Sequence, residues 1–193
     1  MKPLTPDDIR NLHEYELERT TFRGRVIEQK SRRRVALGPL MTLVFENRDT
    51  VRFQIQEMLR VERIVQPDKV LHEVATYNEL LPGPGEVAAT LFIEITDQTR
   101  IQEILDGFIG LDEPGRLFLR VGATAFPARF APGQSREDRI SAVHYIRFNL
   151  GAAGRDALAS RDEAALEVAQ GEYRARTVLS PETVRELVED LSS

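Results

Sequence analysis

Pro82-Gly83-Pro84-Gly85 divides this chain into two stretches with different hydrophobic periods. The prolines fix φ and withhold backbone donors, and the glycines accept conformations closed to other residues. Neither a helix nor a central strand runs easily through such a cluster. Before it, apolar residues recur every three or four positions; after it, they mostly alternate. The first half must therefore be built mainly from helices and the second mainly from strands. The length of 193 residues suits one domain over 1–193, with a sub-boundary near 82–86.

In the first half, Thr5-Pro6-Asp7-Asp8 reads as a helix start: a capping hydroxyl, a proline at the first helical position, and acids at the positive end of the dipole. Leu12, Tyr15, Phe22 and Val26 then share a face, with Arg19 in the gap, predicting a helix over 6–31, bent near Gly24. Val35 to Phe45, broken at Gly38-Pro39, reads as a hairpin of two short strands. Asn47 or Asp49 caps a second helix whose buried stripe is Val51, Ile55, Met58 and Leu59. Pro67-Asp68 starts a third, with Val70, Leu71, Val74 and Tyr77 inward.

In the second half, Val87 to Ile95 alternates, and Asp97 caps a short helix carrying Ile101, Ile104, Leu105 and Phe108 inward. Strands follow at 116–121 and 125–130, then a polar loop from Ala131 to Asp138. The clearest strand places Ile140, Ala142, His144, Ile146, Phe148 and Leu150 on one face, with Tyr145, Arg147 and Asn149 on the other. A turn or small helix at 152–159, a second hairpin at 166–179 and a helix capped by Ser180 complete the order. This is not a regular βαβ alternation. It predicts the α+β class: a mixed, largely antiparallel sheet with a helical N-terminal half packed on it. Val51, Ile55, Met58 and Leu59 are expected to make that contact, since two short strands are too few to stand alone.

Composition removes several kinds of chemistry. Cysteine is absent, which excludes disulfides, thiolate nucleophiles and cysteine-ligated metals. No apolar run approaches the roughly 18–20 residues that span a bilayer, and residues 1–8 carry no apolar leader, so no membrane partner is expected and the cytoplasm is the natural compartment. H-E-x-x-H, G-x-S-x-G, the P-loop and G-x-G-x-x-G are all missing, so neither a metal nor a cofactor is expected.

Three groups of polar residues stand out. The second helix carries Gln54, Gln56, Glu57, Arg60 and Arg63; Gln56, Arg60 and Arg63 recur at spacings of four and three. That strip can grip an anionic ligand or a partner, or simply face solvent; Arg147 is the sheet residue expected beside it. His144 lies on an apolar strand face, where a histidine is either a core residue held by one hydrogen bond or an acid/base group; Glu57 is the carboxylate it would use. Residues 19–34 hold seven cations against one acid, ending in Arg32, Arg33 and Arg34. Such a cluster can bind a nucleic-acid backbone. The isoelectric point near 5.4 and the lack of interleaved aromatics weigh against it.

Arg25 to Leu37, Phe45 to Ile64 (above all Gln54-Ile55-Gln56-Glu57-Met58-Leu59-Arg60) and Ser141 to Leu150 together resemble a bacterial family known only as a domain of unknown function. The resemblance covers nearly the whole chain, including Tyr77-Asn78 ahead of the Pro-bearing loop. It implies a gene neighbourhood with a rubrerythrin-like di-iron protein and an iron–sulfur oxidoreductase, and hence a redox or peroxide-defence setting. It implies no activity.

Three readings follow. The first is a cytoplasmic accessory or binding protein with a redox-protein partner, using the Gln54–Arg63 strip. The second is an acid/base or metal-dependent enzyme using His144. The third is a nucleic-acid-binding protein using Arg32, Arg33 and Arg34. The sequence does not choose an oligomeric state.

Overall fold

A computed structural model describes residues 1–133, 135–136, 139–160 and 162–192. Gln134, Glu137 and Asp138 of the expected polar loop lie outside the described residues. Thr5 does cap a turn, but only a single 3₁₀ turn over Pro6–Asp8. The first long helix, α1 (Leu12–Arg33), begins afresh, with the Asn11 side chain accepting from the Glu14 amide, and runs through Gly24 to Arg33. A tight turn joins β1 (Arg34–Leu37) to β2 (Met41–Glu46). Asn47 caps α2 (Arg48–Val61) by accepting from the Asp49 and Thr50 amides, and α3 (Pro67–Asn78) follows.

The second half contributes β3 (Glu86–Ile93), α4 (Ile101–Asp106), β4 (Leu117–Val121) and β5 (Thr124–Phe130). A two-stranded ribbon, β6 (Ser135–Arg136) with β7 (Arg139–Ile140), occupies the region expected to be a loop. Then come β8 (Val143–Asn149), α5 (Gly151–Ala159), β9 (Ala164–Gln170), β10 (Tyr173–Val178) and α6 (Pro181–Ser192).

The main sheet has eight strands in the order β1-β2-β3-β8-β5-β4-β9-β10, each pair antiparallel. This is the α+β class expected. β1 belongs to the N-terminal hairpin and β10 to the C-terminal one, yet the sheet curls until these two edges meet. Among the described residues no ladder joins them; side chains do. Thr177 Oγ1 donates to the Ala36 carbonyl (2.8 Å), and Tyr173 Oη donates to the Leu37 carbonyl (2.6 Å) while accepting from the Leu40 amide (3.1 Å). Gly38 makes this approach possible. Its φ is +73°, and a Cβ there would sit 2.6 Å from Tyr173 Oη.

Alternation then fills the inside of the curl. Leu43, Phe45, Val87, Ala89, Leu91, Leu119, Ile146, Phe148, Leu166 and Val168 form one buried core, closed by Leu158 of α5 and Leu187 of α6. Val51, Ile55 and Leu59 do not join it. They make a separate core with Leu4, Val74 and Leu81, and Met58 is only half-buried, so the expected contact through this stripe is corrected. The stripe turns to α3 and the N-terminal arm because apolar partners lie there. Leu71, expected inward, is exposed, as is Ile101. Tyr15, Phe22 and Val26 of α1 form a third cluster, with Phe53 of α2 edge-on to Phe22.

Two side-chain amides hold the N-terminal arm over the second core. Gln56 accepts from the Arg10 amide (2.6 Å) and donates to the Arg10 carbonyl (3.1 Å). Asn78 does the same at Leu4 (2.9 and 2.8 Å). Each mimics one rung of a sheet, which satisfies backbone that would otherwise be buried without partners.

Candidate functional site

The register of the sheet brings four outward-facing residues into one row. Glu46 of β2 pairs with Ala88 of β3, Ala88 with Arg147 of β8, and Arg147 with Arg129 of β5. Ala88 is the small member. Over its methyl group the sheet and α3 are held apart, leaving a half-open cavity of about 690 Å³. Its walls are largely apolar: Leu80, Ala88 and Pro132 line them, the strands at Ala89, Phe130 and Ile146, whose side chains turn to the core, complete the floor, and Tyr77, Tyr145 and Thr76 add polar edges. A few polar groups in an apolar concavity is the usual make-up of a small-molecule site.

Glu46 forms the inner end. It is buried, with 3% of its surface exposed, and is held by neutral donors. Thr90 Oγ1 donates to one oxygen (2.7 Å); Thr50 Oγ1 (2.5 Å) and Gln54 Nε2 (3.2 Å) reach the other. The outer rim is ionic. Arg129 and Arg147 both meet Glu86, and Glu86 also accepts from the Gly83 amide (3.1 Å). Arg147 donates to the Glu79 carbonyl at the end of α3, where the helix dipole favours a cation. Burial, with Glu73 and Tyr145 nearby, pushes the Tyr77 hydroxyl up.

The structure disperses the other sequence-chosen residues. Gln54 supports Glu46, and Gln56 is buried at Arg10. Glu57 accepts from Nε and Nη2 of Arg19 (2.8 Å each) and from the Tyr15 hydroxyl (2.8 Å). The Arg19 guanidinium holds it at about 2 against partial burial, with Tyr15 assisting. Arg60 pairs with Glu16 (2.6 Å). α2 ends at Val61, so Arg63 lies beyond the helix at φ +52° and exposed. The expected Gln56–Arg60–Arg63 strip is therefore not one surface.

His144 turns into the core of the curled sheet, while α2 lies on the outer face with Glu46. The sheet separates His144 from Glu57, and no dyad forms. His144 Nε2 meets the Ser141 carbonyl (2.8 Å), its ring stands edge-on to Phe130, and among the described residues Nδ1 has no partner. Burial pushes its pKa down, against the pull of the Ser141 carbonyl and Asp112. Among the described residues no group of three or more His, Cys, Asp or Glu is placed to hold a metal ion.

The arginine cluster is committed within the chain. Arg33 is buried and pairs with Glu186 (2.8 Å) and, through both terminal nitrogens, with Asp190 (2.6 and 2.8 Å). Arg32 takes Glu186 and Glu28, and Arg34 takes Glu94. The basic patch considered for nucleic acid at Arg32, Arg33 and Arg34 is thus taken up in ion pairs, and those of Arg32 and Arg33 with Glu186 and Asp190 clasp α6 to the end of α1.

Sequence reasoning placed Arg147 correctly on the outward face of its strand but passed over Glu46, Ala88, Arg129 and Tyr77. A signal existed for Glu46: it is an acid ending the apolar run Leu43-Val44-Phe45 and directly preceding a helix cap.

Fold and cavity together define an α+β protein with a curled antiparallel sheet and a helix-roofed pocket. The chain belongs to the family described as "Protein of unknown function (DUF3501)", which it matches over residues 3–191. It is also similar to a solved structure from Burkholderia pseudomallei K96243, described as a novel protein of unknown function. The two share 31% sequence identity and a TM-score of 0.91, covering 98% of this chain and 100% of the other. No curated protein matches. No helix among the described residues is long and apolar enough to cross a membrane.

Proposed function

We propose that this protein binds a small organic molecule in the cavity between α3 and the sheet. One observation carries the reading: the row Glu46–Ala88–Arg147–Arg129 sets polar groups at both ends of an apolar space of about 690 Å³. Volume, apolar walls and a few oriented polar groups are what such sites combine. The side chains at both ends are already fixed by hydrogen bonds, so little ordering remains to oppose binding. A role beside a redox protein rests on the family resemblance alone, and the binding reading stands without it.

Nile red, a neutral apolar dye, tests this directly. Wild-type protein should bind it at one site with a rise in fluorescence. Ala88→Leu, which fills the floor of the cavity, should fold and lose most of that signal. Equal dye binding by the two proteins, or none by wild type, removes the reading.

A further inference from the structure

Resting on the binding function just proposed, we infer that the cavity is built for an organic cation, with an ammonium or amidinium group on Glu46 and an apolar body along the sheet. Glu46 is a buried carboxyl that accepts from two hydroxyls and a side-chain amide, and among the described residues no cation pairs with it. Those three donors fix the carboxyl and bring no positive charge to it. A buried carboxylate without a counter-charge is costly, and a cation that arrives with its own apolar surface relieves the cost.

The rest of the cavity agrees in sign. The cationic side chains on its wall, Arg129 and Arg147, are already met by Glu86, and Arg147 also by the Glu79 carbonyl. An anion seeking them must first displace Glu86. Glu73 and Glu79 line the α3 side, so the wall as a whole is acidic. Tyr77 and Tyr145 bring aromatic rings into the lining, and rings attract cations and apolar groups alike. A bare metal ion fits less well. Hard cations take six or more oxygens, whereas one deep carboxyl set among apolar walls suits a group that brings its own carbon.

Three probes of one shape separate the outcomes: 4-phenylbutylamine, 4-phenylbutanol and 4-phenylbutyrate, titrated by calorimetry and by amide chemical shifts in wild-type protein. The amine should bind about tenfold or more tightly than the alcohol, the gain expected of one charge-assisted hydrogen bond. The butyrate should bind most weakly, and shifts should concentrate at Ala88, Ala89 and Tyr145. In Glu46→Gln the preference for the amine should vanish. Equal binding of all three probes, tighter binding of the butyrate, or a preference that survives Glu46→Gln overturns the inference while leaving a binding cavity. Binding of none removes the cavity function as well. The wild-type comparison decides the matter even if Glu46→Gln fails to fold.

Discussion

Glu46 and Arg147 face the same way from strands β2 and β8, separated by the single methyl group of Ala88 on β3. With strands about 4.8 Å apart, their backbones lie roughly 10 Å from one another. Each side chain is held by hydrogen bonds to other groups, Glu46 by neutral donors and Arg147 by the Glu79 carbonyl, and the two do not close on each other. The space between them stays open, and α3 roofs it. Arg147 ties down that roof through the Glu79 carbonyl.

Removing the tie should loosen the roof and leave the floor intact. Arg147→Met is expected to cost about 1–3 kcal/mol, the range for a hydrogen bond to a charged group. Hydrogen exchange should speed up at the amides of residues 77–81 and change little in β3 and β8. Uniform acceleration across the sheet would show that Arg147 is not a local clamp.

Glu57 should give stability that depends on acid. Its carboxylate titrates at about 2 in the folded chain, against about 4.3 when unfolded. The unfolded state therefore binds the proton first as pH falls. The contribution of Glu57 is complete above about pH 5 and is lost as pH drops toward 2. Glu57→Gln should cost about 2 kcal/mol in urea unfolding at pH 7. The gap from wild type should narrow clearly at pH 3; a gap independent of pH would contradict the assignment.

The three consecutive arginines should behave unequally. Arg33→Met takes the buried guanidinium away from Asp190 and leaves Glu186 with Arg32, and loss of one partner of a buried pair costs about 3–5 kcal/mol. Arg32→Met, at a half-exposed pair, should cost less than about 1 kcal/mol. Thermal unfolding of the two variants measures the contrast directly.

At the sheet seam, Gly38→Ala meets both a positive φ and the Tyr173 hydroxyl. A cost of about 2 kcal/mol is expected, within the range for an alanine forced into a strained backbone. Tyr173→Phe takes away the nearest obstructing atom together with its two hydrogen bonds. The double variant should therefore be more stable than the sum of the single losses predicts; strict additivity would place the strain elsewhere.

Local chemistry was the legible part of this sequence. Ser180 caps the helix it was expected to cap, and Asn47 is the one of the pair Asn47 and Asp49 that caps α2, because a side-chain acceptor needs only amides two or three residues away. The alternation around His144 identified both faces of β8, because a strand's period is its own property. What stayed hidden depends on partners far along the chain. The sequence shows that Gln56 is polar on a helix, but not that the Arg10 backbone lies against it. Three adjacent arginines look alike until α6, some 150 residues on, brings Glu186 and Asp190 to the middle one. The candidate cavity is hidden for the same reason. Glu46, Ala88 and Arg147 become neighbours only through the register of three strands, and a shift of one residue would send their side chains to the other face.

The seam between β1 and β10 also sets an order of events during synthesis. A chain leaving the ribosome presents the first hairpin long before its closing partner exists. At about 5–20 residues per second, β1 waits on the order of ten seconds for β10, and α6 follows it with the carboxylates for Arg33. Throughout that interval one sheet edge and a buried-type arginine stand uncovered. The nascent chain is therefore more vulnerable to chaperones, proteases and its own neighbours on the polysome until α6 emerges.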